Sequence, residues 1–156
     1  MTPLLHRIRK EPLRHLLLLL TSPVIYGLFF VVVIADIFGT LYQYICFPVY
    51  RIPRVRRADY VIIDRVKLKQ LNLIQKFNCL YCEYANGVIA YVAEITARTE
   101  WHWCPIKHDR EVIYPHAHYQ KFIEYDDTRN YRAKLRDLRK ACRACEAGCG
   151  AEPKTP

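Results

Sequence analysis

Cysteine and histidine are the residues of this chain whose types and spacing could do chemistry. Cys79-Leu-Tyr-Cys82 sets two thiols one helical turn apart, and Cys104-Pro-Ile-Lys-His108 follows. Thiolate and imidazole are the ligands zinc prefers, and four of them close a tetrahedral site. The 21 residues between Cys82 and Cys104 are close to the usual spacing of such sites. The expected ligand set is therefore Cys79, Cys82, Cys104 and His108, the last two an i,i+4 pair if helical. Zinc is the expected ion, with iron or an iron–sulfur cluster as the alternative. The competing reading makes Cys79 and Cys82 small apolar side chains on one turn of a packed helix. Geometry decides between them. If residues 83–101 formed one straight helix, its ends would stand about 27 Å apart. A shared site needs the chain to break near Asn86-Gly87 and fold back before Cys104.

Two further sets of residues compete for the same role. His116 and His118 alternate, so an extended segment would put both on one face. They could join Cys104 and His108, although surface histidines are the plainer expectation. Cys142, Cys145 and Cys149 are spaced to serve an iron–sulfur cluster with a fourth thiolate from Cys79 or Cys82. Cys142 and Cys145 also fall on the apolar seam of a helix, where they would only pack. A redox reading places Cys104 just before Pro105, at a helix N-terminus that would lower its thiol pKa. The βαβ setting of a thioredoxin-like site is missing. No hydrolase triad, paired-carboxylate site, kinase motif or Gly-rich phosphate loop is present.

The elements that must position these residues are set out by the charge. The chain has 156 residues and a net charge of +9, unevenly distributed. Residues 51–76 hold eight Lys/Arg against two Asp, and residues 77–127 hold eight acids against four Lys/Arg. Leu16–Ala35, LLLLLTSPVIYGLFFVVVIA, carries no charge. Twenty residues at about 1.5 Å each span the roughly 30 Å hydrocarbon core. The run is too long for a signal h-region and lacks an Ala-x-Ala cleavage site.

Two forms of insertion remain open. One is a single span from Pro23 to about Phe47, with Ser22 as N-cap. The other is a re-entrant element of Leu13–Leu20 and Val24–Ala35, broken at Ser22-Pro23. Asp36 would need a partner in a span. Arg7, Arg9, Lys10 and Arg14 precede the run; Arg51, Arg54, Arg56 and Arg57 follow it. Both flanks favour the cytoplasmic face, which a re-entrant or in-plane element satisfies and a single span does not; a single span from 23 to 47 still has the more basic flank after it. The second cluster is also expected to contact anionic lipid. Nucleic-acid binding is not expected, because no motif or aromatic platform accompanies the basic residues.

The expected fold is mainly α. A membrane anchor covers 1–50, and a basic juxtamembrane linker covers 51–64 with a candidate short strand at Asp59–Ile63. A helical Cys/His domain follows over 65–127, with Asp64 as a candidate cap. A basic C-terminal helix and tail cover 128–156, its seam running through Tyr131, Leu135, Leu138, Cys142 and Cys145. The segment FNCLYCEYANGVIAYVAEITARTEWHWCPIKH, residues 77–108, resembles one recurring in small uncharacterised bacterial membrane-associated proteins. The resemblance covers about a fifth of the chain and implies a bacterial origin but no particular activity. The expected role is a metal-binding adaptor or assembly factor with a protein partner. It would sit in the bacterial inner membrane with its C-terminal domain in the cytoplasm. The rival is a membrane-bound thiol-redox or metal-dependent enzyme.

Overall fold

A computed structural model describes residues 3–127 and 129–145, with side chains for 16, 17, 19–127 and 129–145. It is mainly helical: α1 is Pro3–Tyr50, α2 is Leu73–Trp103 and α3 is Tyr131–Arg143. Within α1, Leu19–Tyr50 is long and apolar enough to cross a membrane.

The helix does not restart at Pro23; α1 runs straight through it. Proline has no N–H to bond the carbonyl four residues back, which is that of Leu19. Ser22 Oγ donates to that same carbonyl at 2.7 Å, so the group left over is satisfied. Ser22 therefore works as a bridge across the proline rather than as an N-cap. This is how proline is accommodated inside helices in an apolar setting.

The C-terminus of α1 is a Schellman turn. Ile52 N donates to Phe47 O at 2.9 Å, and Arg51 N to Pro48 O at 3.2 Å. Arg51 takes the left-handed conformation, φ 59°. Glycine occupies that region at no steric cost, whereas arginine does not. Arg51→Gly is expected to raise stability by about 1 kcal/mol. A thermal melt in detergent checks this, and an unchanged or lower midpoint contradicts it.

The crossover after α1 is neither a free linker nor a strand. Residues 51–72 run back along α1 and α2. Val55 N donates to Gln43 Oε1 at 2.9 Å, and Gln43 Nε2 donates to Val55 O at 3.4 Å. A glutamine side chain thus completes a strand-like pairing in the interior. Further along, Arg57 reaches Asp36, and Arg65 reaches Glu83. Residues 59–63 form no strand because no neighbouring strand pairs with them. Among the described residues the sheet-like contact is a single parallel bridge, Ile106 to Ile123.

The return makes α1 and α2 parallel. Tyr26 meets Phe77, Phe29 meets Tyr84, Tyr42 meets Thr99, and Tyr50 meets Trp103. Helix α2 starts at an Asn72/Gln75 capping box, not after Asp64. Asp64 precedes only the short 3-10 turn Arg65–Lys67. Asn86-Gly87 does not break α2. Gly87 lies where a Cβ would stand 2.8 Å from Tyr60 O and from Val61 Cα. The missing side chain lets the crossover pass against the helix.

The main core joins all these parts. Phe47, Val55, Tyr91, Ile95, Trp101, Phe122 and Cys142 are buried together. α3 lies on the far end of α2, where Arg139 Nε donates to His102 O at 2.8 Å. Tyr131, Leu135 and Leu138 are partly buried and Cys142 and Cys145 are buried, so the seam faces inward.

Candidate functional site

The expected ligands are spread along the length of α2. Cys79 and Cys82 stand on its N-terminal half, and Cys104 is its C-cap. Twenty-two residues of helical rise place Cys82 and Cys104 about 33 Å apart. The fold-back that a shared site requires is absent, because α2 is continuous. Cys104 and His108 are also not an i,i+4 pair on a helical face. Pro105 ends the helix and residues 104–108 are not helical: Ile106 N turns back to Cys104 O at 2.8 Å, and Lys107 N donates to Ile123 O at 2.7 Å. Cys104 thus lies at a helix C-terminus and not at an N-terminus. Among the described residues no three or more Cys, His, Asp or Glu side chains are grouped to hold a metal ion.

The remaining candidates have other partners. Cys142 is fully buried, and burial pushes its thiol up to about 11. That disfavours the thiolate a cluster would need. Cys145 is disulfide-bonded, and Cys149 lies outside the described residues. His116 Nε2 is 3.2 Å from Glu100 Oε2. His118 is wholly buried rather than on the surface, with Nε2 3.0 Å from Glu94 Oε1.

His118 belongs to a buried charged cluster. Glu94 Oε1 also accepts from Arg98 Nε at 2.7 Å. Arg98 is wholly buried, and its Nη1 donates to Pro53 O at 2.9 Å. The His118 ring lies over Trp101 with centroids 4.7 Å apart. One carboxylate therefore ties α2 to the crossover and to the loop before α3. Glu94 and Arg98 at i,i+4 suggest a solvated surface pair, yet both are inside. The sign is in the spacing. Tyr91, Glu94, Arg98 and Trp101 fall on one helical stripe, so the pair shares the face of the apolar residues.

Burial and ionisation here have a definite sign. Desolvation works against the Glu94 carboxylate. The His118 and Arg98 hydrogen bonds outweigh it and hold the pKa below the ordinary 4.5. Desolvation holds His102 below its ordinary 6.5, with Arg139 and Arg143 adding to it. Desolvation likewise depresses His116, against the opposing pull of Glu100. As pH falls through 6.5, the unfolded chain takes up these histidine protons first, so stability declines. Below 4.5 the contribution of Glu94 is lost as well. Melting temperature in detergent is expected to be flat above about pH 7 and to fall in two stages on acidification. A rise between pH 7 and pH 5 would contradict the assignment.

A second polar cluster lies between α1 and the crossover. Arg57 donates to both oxygens of Asp36, at 3.0 Å from Nε and 2.7 Å from Nη2. Tyr84 O–H adds a third bond at 2.9 Å. This is the partner that an aspartate on an apolar helix requires. The other basic residues nearby are also engaged: Arg54 lies over the Tyr44 ring and Arg56 faces Asp59.

The largest uncommitted feature is a surface. From Leu16 to Leu28 the described side chains of α1 are exposed on nearly every side. From Phe29 on, one face is covered, while Phe30, Val31, Ile34, Phe38, Leu41, Ile45 and Val49 remain exposed on the other. Comparison with known proteins returns no matching family model, no matching curated protein and no matching solved structure.

Proposed function

We propose that this protein is a membrane-anchored adaptor without catalysis. It is held by α1 in a bacterial inner membrane, with the part after residue 51 on the cytoplasmic side. The observation behind it is the exposed apolar face of α1, continuous from Leu16 to Val49. So much contiguous apolar surface is costly in water and marks a membrane or protein contact. The Lys/Arg clusters at both ends of α1 favour the cytoplasmic side, which a continuous α1 lying in the plane of the membrane satisfies and a crossing one does not. Arg51 and Arg54 are exposed next to α1 and suit anionic headgroups; Arg57 is committed to Asp36. The buried polar groups act as fasteners, and the cysteines among the described residues form no assembled ligand set, so the adaptor role rests on surfaces.

Carbonate and high-salt washes test the anchor, since salt screens charge but leaves apolar burial intact. The full chain is expected to stay in the membrane fraction, and release overturns the anchor. A reporter fused after Pro156 is expected to be active only as a cytoplasmic type. A thiol variant separates the adaptor from a metal- or thiol-dependent protein. Cys79→Ser, Cys82→Ser and Cys104→Ser combined are expected to change stability by no more than about 1 kcal/mol, since these sites are exposed or half-exposed. A loss of several kcal/mol together with loss of bound zinc or iron, by elemental analysis, returns the metal site to first place.

A further inference from the structure

The end of the folded part that faces the N-terminal half of α1 is apolar and basic at once. Leu73 and Ile74 are 83% and 73% exposed, and Leu68 and Phe77 are exposed with them. Lys67 and Lys69 are exposed nearby in sequence, and Lys76 is half-buried. A soluble tip does not gather four large apolar side chains in water without an occupant.

Its position along α1 indicates the occupant. Tyr81 O–H donates to Ile25 O at 3.1 Å, and the Tyr26 and Phe77 rings are 6.1 Å apart. The tip therefore stands level with Ile25 and Tyr26, the middle of the uncharged run Leu16–Ala35. Residues 16–25 supply only about 15 Å of helix beyond the tip, roughly half of a hydrocarbon core. A span over residues 16–35 would put the tip and its lysines at mid-depth, so α1 lies instead in the plane of the boundary, with the basic clusters at its two ends on one face and the tip beside it.

We propose that residues 66–77 are a second membrane-contacting surface. Leu68, Leu73, Ile74 and Phe77 enter the acyl–headgroup boundary of the bilayer that takes up α1. Lys67, Lys69 and Lys76 extend their amines to anionic lipid phosphates, with their methylene stems along the apolar tip. Arg65 does not take part in this, because it is paired with Glu83. Embedding the tip fixes the depth and tilt of α1 and sets the rest of the molecule at a defined height above the headgroups. The inference rests on the membrane anchoring proposed above.

Photocrosslinking separates the two. Benzoylphenylalanine is placed singly at Ile74, at Phe30 on α1, and at Tyr114, which is 93% exposed at the other end. Full-length protein is reconstituted into vesicles of phosphatidylethanolamine and phosphatidylglycerol, irradiated and weighed by mass spectrometry. Lipid adducts are expected at 74 and 30 and none at 114. No lipid adduct at 30 overturns the anchor itself. An adduct at 30 without one at 74 overturns the tip alone. An adduct from 74 to a second copy makes the tip a dimer contact and also overturns it. The combined Lys67→Gln, Lys69→Gln and Lys76→Gln variant is expected to lower the adduct yield at 74 severalfold. Equal yield overturns the role of the lysines.

Discussion

Glu94→Leu is expected to destabilise the protein by about 3–5 kcal/mol, the cost of breaking a buried charge pair from one side. Among the described residues, Glu94 is the carboxylate that meets both Arg98 Nε and His118 Nε2, and both of those side chains are wholly buried. Its loss leaves a guanidinium inside without a counter-charge, and a charge buried so is far costlier than a neutral group. A whole domain has only about 5–15 kcal/mol in hand, so the variant is near the edge of folding. Glu94→Gln keeps the shape and one acceptor oxygen, and is expected to lose less. The informative partner is the combined Glu94→Leu, Arg98→Met, His118→Phe variant. It removes every charge at once, so no desolvated group is left alone, and it is expected to recover much of the loss. Unfolding in detergent followed by near-UV circular dichroism reads all three. If Glu94→Leu costs under about 1 kcal/mol, the cluster is not the fastener that joins α2, Pro53 and His118.

The parts of the fold that were legible depend on local pattern. The uncharged run produces a helix whatever surrounds it, and the seam of α3 follows from heptad-like spacing. The Asn72/Gln75 capping box is equally local, but Asp64 after the β-type run Asp59–Ile63 offers a rival helix start upstream of it. Pro23 misleads for a chemical reason: proline opens helices in water, whereas here Ser22 repairs the bond it removes. The candidate site was not legible. Two thiols one turn apart look alike whether they ligate or not, and the difference depends on what else the fold brings near. That is decided by the continuity of α2 and by the return of the crossover, which rests on contacts between residues far apart in sequence, such as Gln43 with Val55.

Gly87 shows the same dependence most sharply, and it carries the second large effect. In a lone helix, Gly→Ala is favourable by about 1 kcal/mol, because alanine loses less backbone freedom. At Gly87 the sign reverses. The added methyl would stand 2.8 Å from Tyr60 O and Val61 Cα, both backbone atoms that no rotamer change can move. The crossover must shift outward, and overpacking of this kind costs about 1–3 kcal/mol. Val61 is partly buried against Val88, and the Tyr60 ring lies tilted against Tyr91 with centroids 6.3 Å apart, so a displaced backbone loosens both. Gly87→Leu is expected to exceed that range and to free residues 51–72 from α2. Gly27→Ala is the control: nothing lies within 4 Å of its Cβ, so it is expected to be neutral or stabilising. Melting temperature and hydrogen exchange of residues 51–72 in detergent test the pair. If Gly87→Ala melts as high as the parent and leaves that segment as protected, the close crossing is not what holds α1 and α2 parallel.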